Sequence, residues 1–364
     1  MKYLIDETKK SPAYLQLYTQ VRDDIINGLY PHSTKLPSKR IISSECGIST
    51  VTVEHAYALL CDEGYIEPRE RSGYFVIFTT DSGFVSPSSK DVSFSALPTV
   101  KNSSVDFPFS VLAKTMRGVI SDLGERILER SPNLGCMELR EAIRLYLAQS
   151  RGIIADIDQI VIGSGSEYLY TLLIELFGRH LKYAIESPSY KQIEQVYTAA
   201  EISLEKLPLG KDGIESDALK NCSADILHIS PYRSYPSGVT ATASKKHEYL
   251  AWADKNNSYI IEDDFESEFS VSKKPVETLY STSLKDNVLY MNTFSMTISP
   301  SFRVGYMVLP KSLVKEYENK LGYYSCTVPT YIQYVLAELI KNGDFERHIN
   351  KVRRQKRKEL ESEK

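Results

Sequence analysis

Glu45-Cys46-Gly47-Ile48-Ser49-Thr50-Val51-Thr52-Val53-Glu54-His55-Ala56-Tyr57-Ala58-Leu59-Leu60 is the stretch from which the N-terminal architecture can be read. Gly47 supplies a turn, Ser49 or Thr50 can cap a new helix, and Val53, Ala56, Tyr57 and Leu60 then recur at i, i+3, i+4, i+7, which lines one helical face with apolar side chains. Working backwards, a short helix is predicted to begin at Ser38, after Pro37, so two helices meet across a short glycine-containing turn. Earlier still, Leu17, Val21 and Ile25, with Tyr14 and Tyr18 beside them, predict an amphipathic helix that stops near Asn27-Gly28. Working forwards from Gly64, Tyr65-Ile66-Glu67-Pro68 and Gly73-Tyr74-Phe75-Val76 read as a hairpin with Arg69, Glu70, Arg71 and Ser72 at its tip, a basic wing behind the helix pair.

Pro-Ala-Tyr-Leu-Gln-Leu-Tyr (12–18), Lys-Leu-Pro-Ser-Lys-Arg (35–40), Ile-Ser-Thr-Val-Thr-Val (48–53) and Glu-Gly-Tyr-Ile-Glu (63–67) resemble the GntR family of winged-helix regulators. The resemblance implies double-stranded DNA as partner, contacted by Ser38, Lys39, Arg40, Ser49, Thr50, Thr52 and Arg71. Arginine suits bidentate contact with phosphate or guanine, and Ser and Thr give weaker positional contacts. Two positions depart from the family: Thr50 stands where Arg is frequent, and His32 where Gly is usual after Pro31.

The first unit is expected to span 1–78. Thr79 to Ser104 is rich in Ser, carries Pro87 and Pro98 and lacks apolar periodicity, which predicts a linker over 79–104. From 105 to 364, short β-rich runs (Gln159–Ile162, Tyr183–Glu186, Ile226–Ser230, Tyr259–Asp263 and Val288–Asn292) alternate with helical patterns. That alternation predicts an α/β body with a mostly parallel sheet and helices on both faces.

Within the body, Pro-Asn-Leu-Gly-Cys-Met-Glu-Leu-Arg-Glu-Ala-Ile (132–143), Arg-Gly-Ile (151–153), Gly-Ser-Gly-Ser-Glu (163–167), Glu-Ser-Pro-Ser-Tyr (186–190) and Ile-Ile-Glu-Asp-Asp (260–264) are similar, in order, to the fold-type I aminotransferases. With a GntR-like unit in front, the chain resembles the MocR subfamily, whose aminotransferase-like body senses pyridoxal phosphate or an amine. The resemblance implies a vestigial site in which Gly165, Ser166 and Glu167 present amides to a phosphate, Tyr190 stacks on the pyridine ring, Asp263 faces the ring nitrogen and Arg303 pairs with an anion.

Asn-Thr-Phe-Ser-Met-Thr-Ile-Ser-Pro-Ser-Phe-Arg-Val-Gly-Tyr (292–306) breaks the pattern where chemistry depends on it. Met296 holds the place of the Schiff-base lysine, and a thioether can form no imine and carry no proton for a 1,3-shift. Phe265 replaces the tyrosine that hydrogen-bonds the cofactor phenolate, and Arg233 and Ser234 replace a His-Gln pair in Pro-Tyr-Arg-Ser-Tyr-Pro-Ser-Gly (231–238). The segment 347–360 resembles the helix leading into a small C-terminal subdomain, and the sequence stops there, so that subdomain is expected to be absent. Pyridoxal phosphate is therefore expected, if at all, only as a non-covalent ligand, and no catalytic residue is assigned.

Composition bounds the alternatives. With 42% apolar and 25% charged residues the chain reads as globular, and no apolar run approaches the roughly 18 residues that would cross a bilayer, so a cytoplasmic protein is expected. Five scattered cysteines without a C-x-x-C pair predict free thiols, and neither the six histidines nor the acidic run 262–268 carries convergent metal-ligand spacing. The net charge of −3 makes any DNA-facing basic surface local. Lys35, Lys39, Arg40, Arg69 and Arg71 fall in two groups, and 347–364 holds 8 Lys and Arg against 3 Glu. The reading is a DNA-binding regulator acting as a homodimer on paired half-sites, with a degenerate body for dimerisation and sensing of a small-molecule effector. Its competitors are an active transaminase with an accessory DNA-binding domain, which Met296 opposes, and a truncated, non-functional regulator.

Overall fold

The computed structural model describes residues 3–6, 11–70, 72–79, 107–270 and 277–362. The chain divides into two compact units, 1–100 and 101–364. Arg71 and residues 80–104 of the expected linker lie outside the described residues.

Unit 1 comprises α1 (Ala13–Ile26), α2 (Lys39–Cys46), α3 (Thr50–Asp62) and an antiparallel hairpin of β1 (Ile66–Arg69) and β2 (Gly73–Val76). Its helix starts follow from capping. The Ser38 hydroxyl accepts from the amide of Ile41 and that of Ser49 from the amide of Thr52, satisfying donors that a helix's first turn leaves unpaired. The α2–α3 turn closes on Gly47, whose φ of 68° is a left-handed conformation that glycine adopts without steric penalty. Leu17, Val21 and Ile25 of α1 pack with Ile42 of α2, Val53, Ala56, Tyr57 and Leu60 of α3, and Ile66 and Val76 of the hairpin, as the periodicity predicts. Arg69, expected at the wing tip, ends β1 opposite Gly73.

Unit 2 runs α4 (Phe109–Leu123), α5 (Met137–Arg151), β3 (Ile160–Gly163), α6 (Ser166–Phe177), β4 (Lys182–Ser187), α7 (Lys191–Ala199), β5 (Ser203–Pro208), α8 (Ser216–Asn221), β6 (Ile226–Ile229), α9 (Ala243–Asn256), β7 (Tyr259–Asp263), α10 (Leu279–Thr282), β8 (Val288–Thr293), β9 (Gly305–Val308), α11 (Lys311–Leu321), α12 (Thr330–Lys341) and α13 (Asp344–Ser362). The strands form one sheet in the order β3-β9-β8-β7-β6-β4-β5, with β9 antiparallel to both neighbours. The five expected strands are present; β5 and β9 are additional.

Side chains alternate across a strand, and the packing shows both faces covered. Val161, Leu289, Met291 and Met307 join α6, α7 and α11 in one apolar cluster, whereas their neighbours Ile160, Ile162, Tyr290, Tyr306 and Val308 join α5, α12 and α13 in another. Leu227, Ile260 and Val288 meet α9 in a third, where Trp252 is buried. No helix of the described residues is long and apolar enough to cross a membrane.

Three carboxylates of the acidic run 262–268 are spent on structure. Glu262 accepts the amides of Leu279 and Tyr280 at 2.8 and 2.9 Å, while Asp264 and Glu268 flank the buried guanidinium of Arg151 at 3.3 and 3.2 Å. Among the described residues no group of His, Cys, Asp and Glu gathers in the manner of a metal site, and none of the five cysteines is disulfide-bonded.

Candidate functional site

In unit 1, burying Val53, Ala56, Tyr57 and Leu60 turns Thr50, Val51, Glu54, His55 and Ala58 to solvent, so the first turns of α3 present a mixed polar face. Thr52 is half-buried and its hydroxyl lies 2.8 Å from that of Ser49, which leaves both side chains engaged in the cap. Lys39 is bound to Glu54 at 2.7 Å, tying α2 to α3. Arg40 is exposed and no carboxylate of the described residues pairs with it. Arg69 lies over the ring of Phe75 at 4.4 Å and pairs with Glu67 at 2.8 Å, and Lys35 bridges to Phe75, which places a second exposed cation at the hairpin. Val51, His55 and Lys35 are exposed as well and are not among the seven positions expected from the sequence.

In unit 2, a cavity of about 350 Å³ opens where the parallel strands β3, β4, β6, β7 and β8 end, the edge at which α/β sheets offer loops and helix starts to ligands. Because β9 runs the other way, its first residue reaches the same edge, and Arg303 enters two residues before it. The geometry brings together Gly165, Ser166, Glu167, Tyr190, Asp263 and Arg303, with Phe265 and Met296 in the same wall. Gly305 keeps this packing close: a Cβ there would stand 3.1 Å from the Asn292 carbonyl oxygen and from the Leu169 side chain, so either would have to give by a few tenths of an ångström.

Asp263 is buried at the end of β7 and its Oδ2 accepts from the Tyr170 hydroxyl at 2.5 Å. Behind it the Tyr197 hydroxyl lies 2.6 Å from His228 Nδ1, and His228 Nε2 stands 3.7 Å from Asp263 without a hydrogen bond of its own. Burial raises the Tyr170 and Tyr197 hydroxyls well above their ordinary range, so both stay protonated and available as donors. Tyr190 sits edge-on to Tyr235, ring centres 6.0 Å apart. At the mouth the Arg303 guanidinium binds the Glu167 carboxylate and lies against Gly165, at the start of α6. Tyr170, His228 and Tyr235 were not singled out from the sequence. Tyr170 sits in an apolar helical stripe, where only tertiary structure reveals a polar partner 93 residues away.

Ser234, which stands at a departure from the family pattern, donates to Glu186 at 2.6 Å. Arg233, beside it, pairs with Glu266 at 3.3 Å. Of the basic residues near the C-terminus, Arg353 donates to the Glu268 carbonyl oxygen at 2.7 Å and Lys356 lies over the Phe269 ring, so these two serve the body.

A ring could stack on Tyr190 with its nitrogen toward Asp263, and Gly165 and Ser166 stand at the α6 start, but three other positions depart from what the family resemblance expects. Met296 offers no amine, Phe265 offers no phenol, and the guanidinium of Arg303 already has a carboxylate partner. These residues do not fit the cofactor as aminotransferases bind it.

Comparison with known proteins gives four matches. The family model for bacterial regulatory proteins, gntR family, matches residues 13–76. The HTH-type transcriptional regulator YdeL of Bacillus subtilis (strain 168) is 33% identical over 97% of this chain and 79% of its own length. The probable rhizopine catabolism regulatory protein MocR of Rhizobium meliloti is 26% identical over 96% and 76%. Among solved structures, the kynurenine aminotransferase of Pyrococcus horikoshii in complex with PMP superposes with a TM-score of 0.61 at 24% identity; the match covers 68% of this chain and 64% of that enzyme, and shows the fold alone.

Proposed function

Because this chain belongs to the HTH-type transcriptional regulators of the GntR and MocR type, a GntR helix-turn-helix ahead of an aminotransferase-like domain, we propose that it binds operator DNA as a dimer and that the second unit senses a small molecule without transaminase chemistry. The observation that carries the DNA side is the exposed Arg40, the second residue of α2, with which no carboxylate of the described residues pairs, next to Lys39, whose ion pair with Glu54 joins the α2 start to the solvent face of α3. Helix starts favour anions, and a guanidinium there can grip phosphate or read guanine in two-pronged fashion. Ser38 and Ser49 hold the two starts in place, and Thr50, Val51 and His55 offer the adjoining contacts. A protein whose partner is the chromosome works in the cytoplasm.

Met296 supports the non-enzymatic reading of the body. Its thioether lines the cavity where the family resemblance expects an amine, and Thr293 and Ser295 beside it supply hydroxyls but no base for carbon acid chemistry. What the cavity retains is a means of recognition: an aromatic wall, one buried carboxylate and a polar mouth.

The test of the DNA side is retardation of DNA taken from upstream of the gene. Arg40→Ala should weaken the discrete complex by about 1–3 kcal/mol if Arg40 reads a base, and by a smaller, sequence-independent amount if it touches only phosphate. Unchanged affinity would remove Arg40 from the interface, and absence of any discrete complex with the wild-type protein would favour a non-functional remnant.

A further inference from the structure

The charges around the unit 2 cavity do not suit a phosphorylated ligand. Glu167 and Asp263 contribute carboxylates and Arg303 a guanidinium, so the lining is negative by one formal charge. Moreover, the one cation is taken. Arg303 is bound to Glu167 across the mouth, and its guanidinium lies 3.6 Å from where a Cβ on Gly165 would stand, covering the turn from which α6 starts. An ion pair as exposed as this one, at 57% and 36%, contributes little to stability, so its consequence is for what can enter. A phosphate dianion arriving at the α6 start would have to displace Glu167 and then remain beside it.

Deeper in, the arrangement suits a cation. Asp263 is 3% exposed and Tyr170 engages its Oδ2. Tyr190, Tyr235 and Phe265 surround the approach to Asp263 with aromatic surface. Ring faces carry negative electrostatic potential and attract ammonium groups, more strongly where water is excluded. A carboxylate in such surroundings gains from a positive partner brought by the ligand.

We propose that this cavity recognises a small organic ammonium compound that carries no phosphate, with Asp263 as counter-ion and Tyr190, Tyr235 and Phe265 as the aromatic wall, and that Glu167 acts as a built-in anion that excludes phosphorylated ligands. The proposal rests on reading the body as a sensor without transaminase chemistry, and names the ligand class of that sensor.

Pyridoxamine and its 5′-phosphate are a suitable probe pair, since both carry the amine and only one carries the phosphate; benzylammonium tests the cation alone. Calorimetric titration of the full chain should show pyridoxamine binding at least about tenfold more tightly than its phosphate, and Glu167→Gln, which frees Arg303, should reverse that order. Asp263→Asn should weaken benzylammonium by about tenfold or more, while the Tyr170 hydroxyl can still donate to the amide oxygen. Preference of the wild type for the phosphate, an unchanged ratio in Glu167→Gln, or no binding of any probe would overturn the proposal. A borohydride-fixed pyridoxal phosphate adduct accompanied by amino-group exchange would instead overturn the sensor reading on which it rests.

Discussion

Glu186 stands at the end of β4 with both of its hydrogen-bond donors on the loop after β6: the Ser230 amide at 3.1 Å and the Ser234 hydroxyl at 2.6 Å reach the same oxygen. Burial pushes its carboxyl up to about 7 from an ordinary 4.5, and those two bonds only moderate the shift. Since the native state holds the proton more tightly than the unfolded chain, the contribution to stability is complete below pH 4.5 and is lost as pH rises through about 7. The shift corresponds to roughly 3 kcal/mol. Glu186→Gln keeps an acceptor for both donors and has no proton to lose, so its urea midpoint should exceed that of the wild type at pH 8 and approach it near pH 4.5. Glu262, also pushed up to about 7 by burial, leaves a residual slope of the same sign. Parallel pH profiles for the two proteins would show that Glu186 is not the titrating group. The sequence displayed Glu186 and Ser234 as members of two separate motifs. Their contact spans 48 residues, and no local pattern encodes it.

At the scale of elements, legibility followed locality. The helix starts at Ser38 and Ser49 and the strand Tyr259–Asp263 were readable because caps, turns and apolar runs act over a few residues. The strands β5 and β9 were not. β5 is an edge strand with a largely half-buried or exposed pattern, and the four residues of β9 become a strand by pairing with β3 and β8, one of them more than 140 positions away. Its reversed direction, which delivers Arg303 to the cavity mouth, had no sequence signature. For α3 the cap carries a prediction. Ser49→Ala removes the hydroxyl that accepts from the Thr52 amide at 3.0 Å and should destabilise unit 1 by about 0.5–2 kcal/mol. Fraying of that turn also disorders Thr50 and Val51, so DNA affinity should fall in the same variant, whereas Ser49→Gly should lose only a few tenths of a kcal/mol in stability. Thermal melts and band shifts on the two variants separate capping from direct contact: a Ser49→Gly protein that melts normally but fails to bind would assign the hydroxyl to the DNA.

At the scale of the molecule, each unit has a core of its own. The apolar cluster of unit 1, from Tyr3 to Val76, is drawn wholly from within that unit, and the Tyr57 hydroxyl inside it donates to the Pro37 carbonyl oxygen at 2.8 Å. A fragment of residues 1–79 should therefore unfold cooperatively by itself, with the modest stability expected of so small a core. It should also keep the Arg40 dependence of DNA binding, because the caps of α2 and α3 and the pairing of the hairpin are made by residues of unit 1. What it should lose is pairing. If the body is what joins two copies, the full chain engages the second half-site intramolecularly, at an effective concentration that a free fragment cannot match, and the fragment should bind a paired site about 10²- to 10⁴-fold more weakly than the full chain does. Both proteins should bind an isolated half-site alike. Inserting half a helical turn between half-sites should then penalise only the full chain, since two-fold proteins match sites on one face of the duplex. Equal affinity of fragment and full chain for the paired site, with no dependence on spacing, would mean that the winged helices act singly and that the aminotransferase-like body has some role other than holding them together.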